Sequence, residues 1–325
     1  MTQEPSEAER ARSGPSRGAL RGLGALSSAL DIGRASCERM LAATTERLAR
    51  IHRVQLERDR WPDFAAFDAS RYSLALRREA ARQWARRACA EHGSIHQFSA
   101  VMHGLCEARV GLELLGALAR LITDEVRHAE LCAAMAVALL PEGGEPELFA
   151  WPTPDAPWHD APGPGQPQAL LTWAADAILI ACCLGETISR PMYEALIVVT
   201  TDPVAEQVVR QILRDEHLHA AFGWDALALL LPALEPAGRA QVQERLRRAL
   251  GGFEATTACG YTIEDVAGRA ITVERGDAPN LGLLTSEQYA MIFFATIEQE
   301  IFPALHALGL DPAAAWAGRP GRAAP

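Results

Sequence analysis

This 325-residue sequence predicts an all-α fold, a four-helix bundle with one long crossover plus N-terminal and C-terminal helical extensions. Three observations lead there. Apolar residues recur at helical spacing along four long stretches. Two of these carry near-copies of one motif, Asp124-Glu125-Val126-Arg127-His128 and Asp215-Glu216-His217-Leu218-His219. Between the two pairs of stretches, Pro and Gly crowd residues 141–167, too irregular for a helix and long enough to run the length of a bundle.

The repeated motif is the strongest signal in the chain. With 27 Glu and 9 His, about 0.75 Glu-x-x-His would arise by chance. Requiring Asp just before the Glu lowers that to about 0.03, yet two are present. Three residues apart on a helix, the carboxylate and imidazole share a face and can reach one metal ion.

In chain order, residues 1–17 are polar and are expected to be disordered. Residues 18–72 form an N-terminal extension of one or two helices, with loop character around Trp61-Pro62 and Asp68-Ala69-Ser70; it is read as loosely docked or frayed, with a partner contact through the apolar piece Ala19–Leu30 as the other reading. The bundle is assigned to residues 73–231, with helices over about 74–105, 112–139, 169–199 and 203–231, the third kinked at Pro191. Asp202 is the expected N-cap of the fourth, with Pro203 at its first position. Residues 232–325 form a C-terminal extension packed on the bundle. It comprises a basic helix over 236–250, an irregular stretch over 251–284 with a short hairpin at Tyr261–Val273, and a last helix capped by Thr285 or Ser286.

Spacing within the second hairpin tests the arrangement. Glu186 lies 15 residues before Thr201 and Glu216 lies 15 after it, so antiparallel helices carry both about 22 Å from the turn. In the first hairpin, Glu91 is the acid that pairs with Glu125 in the same way. The metal ligands read from the residues are therefore Glu91, Glu125, His128, Glu186, Glu216 and His219. Four acids at one level in a core would repel and be poorly solvated; two divalent cations balance them, and carboxylate with imidazole suits iron or manganese, as Fe/Fe, Fe/Mn or Mn/Mn. Asp124 and Asp215 are read as acceptors for the ring N–H of a His ligand, each in the opposite hairpin.

Composition narrows the setting. All 31 basic residues are Arg, and the net charge of −10 argues against nucleic acid or an anionic membrane as partner. Seven Cys without a C-x-x-C argue against a disulfide framework and for a reducing cytoplasm. No signal peptide is apparent, and no apolar run approaches 18 residues, so no membrane span is expected.

The order Glu91, Asp124-Glu125-x-Arg127-His128, Glu186, Asp215-Glu216-x-x-His219 resembles the ferritin-like di-iron carboxylate superfamily. That group includes soluble methane monooxygenase, the ribonucleotide reductase small subunit, rubrerythrin, ferritin and the p-aminobenzoate N-oxygenase. The stretches Glu91–Ile95, Asp124–Leu131 and Gly185-Glu186-Thr187 also resemble bacterial ferritin-like domain proteins of largely uncharacterised activity. The resemblance spans about residues 75–230 and implies a bridged iron pair that reduces oxygen or peroxide.

Departures from the better-known members shape the expected activity. Cys132 stands where the reductase has its radical Tyr, and Ile212 where the N-oxygenase has an extra His. His217, His92, His96 and His103 fall off the ligand faces, and no rubredoxin-type Cys cluster follows the bundle. Arg190, one turn after Glu186, is a candidate contact for an anionic substrate group, with an internal ion pair to Glu194 as the other reading. Cys132 and Tyr193 are candidates to line a substrate pocket, with plain packing as the alternative. The expected protein is a non-haem di-iron oxygenase that uses O₂ and an external reductase to hydroxylate, N-oxygenate or desaturate a small organic molecule, a homodimer being one open assembly. A ferroxidase, peroxide scavenger or iron-sequestering protein without organic substrate is the alternative.

Overall fold

The computed structural model describes residues 47–48, 50, 52–53, 61–141, 161–163, 165–269 and 273–321, and all regular structure among them is helical. The expected disorder of residues 1–17 and the apolar piece Ala19–Leu30 lie outside these residues, as does most of the crossover. What is described of residues 47–53 is helical, and two 3₁₀ turns, Phe64–Ala66 and Ala69–Arg71, follow.

Four long helices organise the rest. Helix α1 (Leu74–Glu107) starts at Ser73, whose hydroxyl accepts from the Leu76 N–H at 3.3 Å. Helix α2 (Leu112–Ala138) follows after a tight turn with Arg109 at φ 56°, a left-handed residue that ends α1 without a glycine. Helix α3 runs over Pro167–Val199 and α4 over Pro203–Leu230. Asp202 caps α4, accepting from Val204 and Ala205 N–H at 2.9 and 3.0 Å, and it also takes the Tyr72 hydroxyl at 2.7 Å. α1 packs along α2 and α3 along α4; α2 meets α4, and α1 meets the first part of α3.

Helix α3 departs from expectation in two ways. Pro191 lies inside the helix, and an irregularity that the sequence did not suggest lies upstream, a π-helical stretch over Leu179–Glu186. Such a stretch adds a residue to the turn and re-aims the side chains on it, Glu186 among them. The helix is also 33 residues long with a mean hydropathy of 1.6 over its most apolar window, long and apolar enough to cross a membrane, contrary to the reading of short apolar runs. Since 67% of that window is buried inside the protein, the apolar surface serves internal packing.

Two glycines set how closely the helices approach. A Cβ on Gly104 of α1 would come within 2.5 Å of the Trp173 ring on α3. A Cβ on Gly223 of α4 would lie 2.7 Å from the backbone carbon of Cys182, within the π-helical stretch.

The C-terminal part corrects two expectations. Helix α5 (Pro236–Thr257) does not stop at Leu250 but continues through Gly251-Gly252. Gly251 is there for contact, since a Cβ would sit 2.8 Å from the Pro320 carbonyl oxygen. In place of the expected hairpin, Ile263–Val266 forms a single helical turn, α6, closed by a Thr262/Asp265 capping box, and no strand occurs among the described residues. Helix α7 runs as Ser286–Thr296, a π turn Ile297–Ile301 and Phe302–Ala307, capped by Thr285, and a short α8 (Pro312–Ala317) follows. α5 packs on the first half of α3 and α7 on its second half. The segment before α7 is tied to the long helices by Trp84 Nε1 donating to the Leu281 carbonyl at 2.8 Å and by Thr201 N–H donating to the Asn280 carbonyl at 2.9 Å.

Gly223→Ala is expected to destabilise by about 1–3 kcal/mol, because backbone rather than a flexible side chain meets the added methyl, outweighing the gain of roughly 1 kcal/mol in helix propensity. Urea denaturation of the two proteins measures it; a stabilised variant would contradict the close approach.

Candidate metal centre

Each long helix sends ligand-type side chains inward at one level: Glu91 from α1, Glu125 and His128 from α2, Glu186 from α3, Glu216 and His219 from α4. All six are buried. Their ligand atoms form three overlapping groups, each gathered within 4.8 Å: Glu91, His128 and Glu216; Glu186, Glu216 and His219; Glu125, His128 and His219. Each group could hold a metal ion. Glu216 belongs to two of them, and Glu125 sits with both imidazoles, whose ring centres are 5.5 Å apart.

The imidazoles are oriented from outside. His128 Nε2 lies 3.3 Å from Asp215 Oδ2, and His219 Nε2 lies 3.5 Å from Asp124 Oδ2, so each aspartate serves the histidine of the other hairpin. With Nε2–H assigned to the aspartate, the Nδ1 lone pair faces inward. His128 Nδ1 is 3.5 Å from Glu216 Oε1 and 3.8 Å from Glu91 Oε2; His219 Nδ1 is 3.0 Å from Glu125 Oε1 and 3.8 Å from Glu186 Oε2. None of these is aligned as a hydrogen bond. Both Nδ1 atoms, both oxygens of Glu125 and Oε2 of Glu216 are buried with no hydrogen-bond partner. Buried polar atoms are rarely left so, and here they converge on one another with the nitrogen and oxygen chemistry of a divalent-metal site.

A second layer, which sequence reading only partly reaches, fixes the aspartates. Arg120 donates to both oxygens of Asp124 at 2.9 and 2.8 Å and approaches Asp215 at 3.5 Å. Arg127, itself buried, donates to Asp215 at 3.2 Å and to Gln211 at 2.6 Å. Two Asp and two Arg make this layer neutral, so the four inner carboxylates keep their full charge requirement. Arg120, Arg127 and Gln211 were not singled out from the sequence. Arg127 stands inside the motif and Arg120 lies one turn before Asp124, which are the signals available.

The pocket candidates divide. Tyr193 donates to Glu91 Oε1 at 2.7 Å, leaving Oε2 turned toward His128. Cys132 is fully buried and within electrostatic reach of Tyr193 and Arg87. Arg190 is bound to Glu194 at 2.5 Å and also to Glu300 of α7, so its charge is answered inside the protein and is not held out to an anion. His96, His103 and His217 are exposed and Ile212 is buried, all outside the three groups.

Without a cation, protons must moderate the inner charge. Burial above all, with Glu91 and Glu186 nearby, pushes the Glu125 carboxyl up to about 8 against the pull of His219. Burial and Glu186 likewise hold Glu216 well above the usual carboxylate range. Burial would lower His128, but Asp215 and Glu91 overcome it and raise the imidazole to about 9; His219 is raised in the same way by Asp124, Glu125 and Glu186. Glu91 is the exception, brought down to about 2 against its burial by His128, Glu125 and Tyr193.

Two outcomes follow. Glu125 and His128 titrate higher in the folded chain than their ordinary values of 4.5 and 6.5, so their stabilisation is complete below those values and is lost as pH rises to about 8 and 9. The metal-free protein should therefore melt at lower temperature at pH 9 than at pH 6, with proton release on metal addition at pH 7; a flat or rising melting curve would contradict the arrangement. Asp215→Ala, by freeing the His128 ring, should weaken metal binding by roughly 10–100-fold in a competition assay with a chelator.

Comparisons with known proteins add no relative: no protein-family model matches the chain, and neither do the curated proteins or the solved structures.

Proposed function

We propose that this chain is a ferritin-like di-iron carboxylate protein that uses dioxygen to oxidise a small organic substrate. The observation that carries the reading is the inner shell of unpartnered donors, two Nδ1 atoms and carboxylate oxygens from four helices, each imidazole backed by an aspartate. Four carboxylates call for about four positive charges, which two divalent cations supply with neutral imidazoles. The residues fit that load symmetrically. Glu91 and His128 would serve one ion, Glu186 and His219 the other, with Glu125 and Glu216 shared. Placed on four packed helices around that centre, the two hairpins support the four-helix-bundle reading.

Bound iron supplies Lewis acidity and electrons for oxygen reduction. The chain's own residues do the remaining work. Asp215 and Asp124 hold the imidazole N–H groups and so fix which nitrogen faces the centre. Tyr193 donates to one oxygen of Glu91 and so fixes how that carboxylate is turned. Leu121, Leu131, Ile178 and Leu184, from the same helices as the ligands, are fully buried in the apolar core. Glu91 and Glu186, each 8% exposed, are the least enclosed ligands, whereas Glu125, Glu216 and both histidines are at most 1% exposed. An external reductase would supply the electrons.

Anaerobic loading with Fe(II) should give about two metal ions per chain by elemental analysis, falling to one or none in Glu125→Ala and Glu216→Ala. A parent value below one would overturn the reading. On admission of O₂, oxidation limited to the bound ions supports an oxygenase, whereas continued turnover of added Fe(II) supports iron handling instead.

A further inference from the structure

The two motif copies match in their ligands but not in their cations. Arg120 stands four residues before Asp124, whereas Gln211 stands four before Asp215. Three residues after each aspartate the pair is Arg127 and Leu218. A faithful repeat would give each hairpin its own arginines at these places. Instead both belong to α2, which must serve an aspartate on its own helix and one on α4.

Arg120 makes that sharing possible. Its Nε lies 2.9 and 2.8 Å from the two oxygens of Asp124, one turn along α2. Its Nη2 reaches across to Asp215 Oδ1 at 3.5 Å. A guanidinium can do both because its donors point in several directions from one rigid plane. Behind Asp124 stands the His219 ring at 3.5 Å, and behind Asp215 the His128 ring at 3.3 Å. One side chain is thus a single step removed from each imidazole. Both aspartates and both histidines are buried, but the Arg120 side chain is 41% exposed. Its replacement therefore leaves no sealed hole in the core, while charge-assisted bonds are taken from both aspartates at once.

We propose that Arg120 is a positioning residue shared by both halves of the centre, one guanidinium that sets both imidazoles and so makes the two metal positions fill interdependently. The interdependence rests on the di-iron reading, whereas the hold on the imidazoles does not.

The first measurement accordingly needs no metal. In metal-free protein carrying isotope-labelled histidine, the ring N–H signals of His128 and His219 are followed by NMR. Arg120→Gln should shift both signals and speed the exchange of both protons with water. The second measurement is anaerobic Fe(II) binding, read by competition with a chromophoric chelator. Arg120→Gln should weaken both binding steps by roughly 10–100-fold, the range for groups that orient metal ligands. In double-mutant cycles it should be non-additive with Asp124→Asn and also with Asp215→Asn, by roughly twofold or more in each, as for members of one hydrogen-bond network. If Arg120→Gln does not fold, Arg120→Lys is read in its place with the same expectations, since it keeps a charge but not the fork. A change confined to the His219 signal, additivity with Asp215→Asn, or weakening of only one binding step would overturn the shared role. A parent protein that binds fewer than two Fe(II), with both ring signals still responding to Arg120→Gln, would overturn the di-iron reading and the interdependence with it.

Discussion

Four carboxylates and two imidazoles buried at one height are the constraint to which the rest of this structure answers. Removing an unpaired carboxylate from water costs several kcal/mol, and a core holding four cannot recover that from packing alone. The surrounding layer does not help, because Asp124 and Asp215 are already neutralised by Arg120 and Arg127. That neutrality has a use. It allows the aspartates to orient the histidines without adding to the charge at the centre, so the inner requirement falls on whatever the six groups bind.

Helix geometry is bent to this end where ordinary α-helix would not serve. The π-helical stretch in α3 ends at Glu186, and Gly223 lets α4 press against that stretch one turn after His219. The two features lie opposite each other, so the irregular backbone is supported by contact rather than left loose. Tyr193, a turn and three residues further along α3, reaches back to Glu91 on α1. One helix thus supplies a ligand and restrains another helix's ligand.

The C-terminal part extends this logic to the outside. α7 covers the second half of α3, and its anchor segment is pinned to α1 through Trp84 and to the α3–α4 turn through Thr201. Gly282, at φ 89°, lies where a Cβ would be 2.8 Å from the Trp84 ring, so that anchor admits only glycine without rearrangement. These contacts hold α7 in register over α3 and bring Glu300 to Arg190.

Much of the helical layout and all six inward ligand candidates could be read from the sequence, because helical periodicity and i,i+3 spacing are local properties that a chain displays without folding. The repeat of Asp-Glu-x-x-His and the distances of Glu186 and Glu216 from Thr201 placed the acids at one height by arithmetic alone. Other features depend on neighbours distant in sequence. The continuation of α5 through Gly251-Gly252, the helical turn in place of a hairpin at Ile263–Val266, and the π-helical stretch before Pro191 follow from contacts that local propensity does not encode. Arg190 shows the difference most sharply. The sequence offers Glu194 as a partner one turn away, but Glu300 lies 110 residues further on, and only the packing of α7 on α3 turns a lone cation into the minority charge of its site.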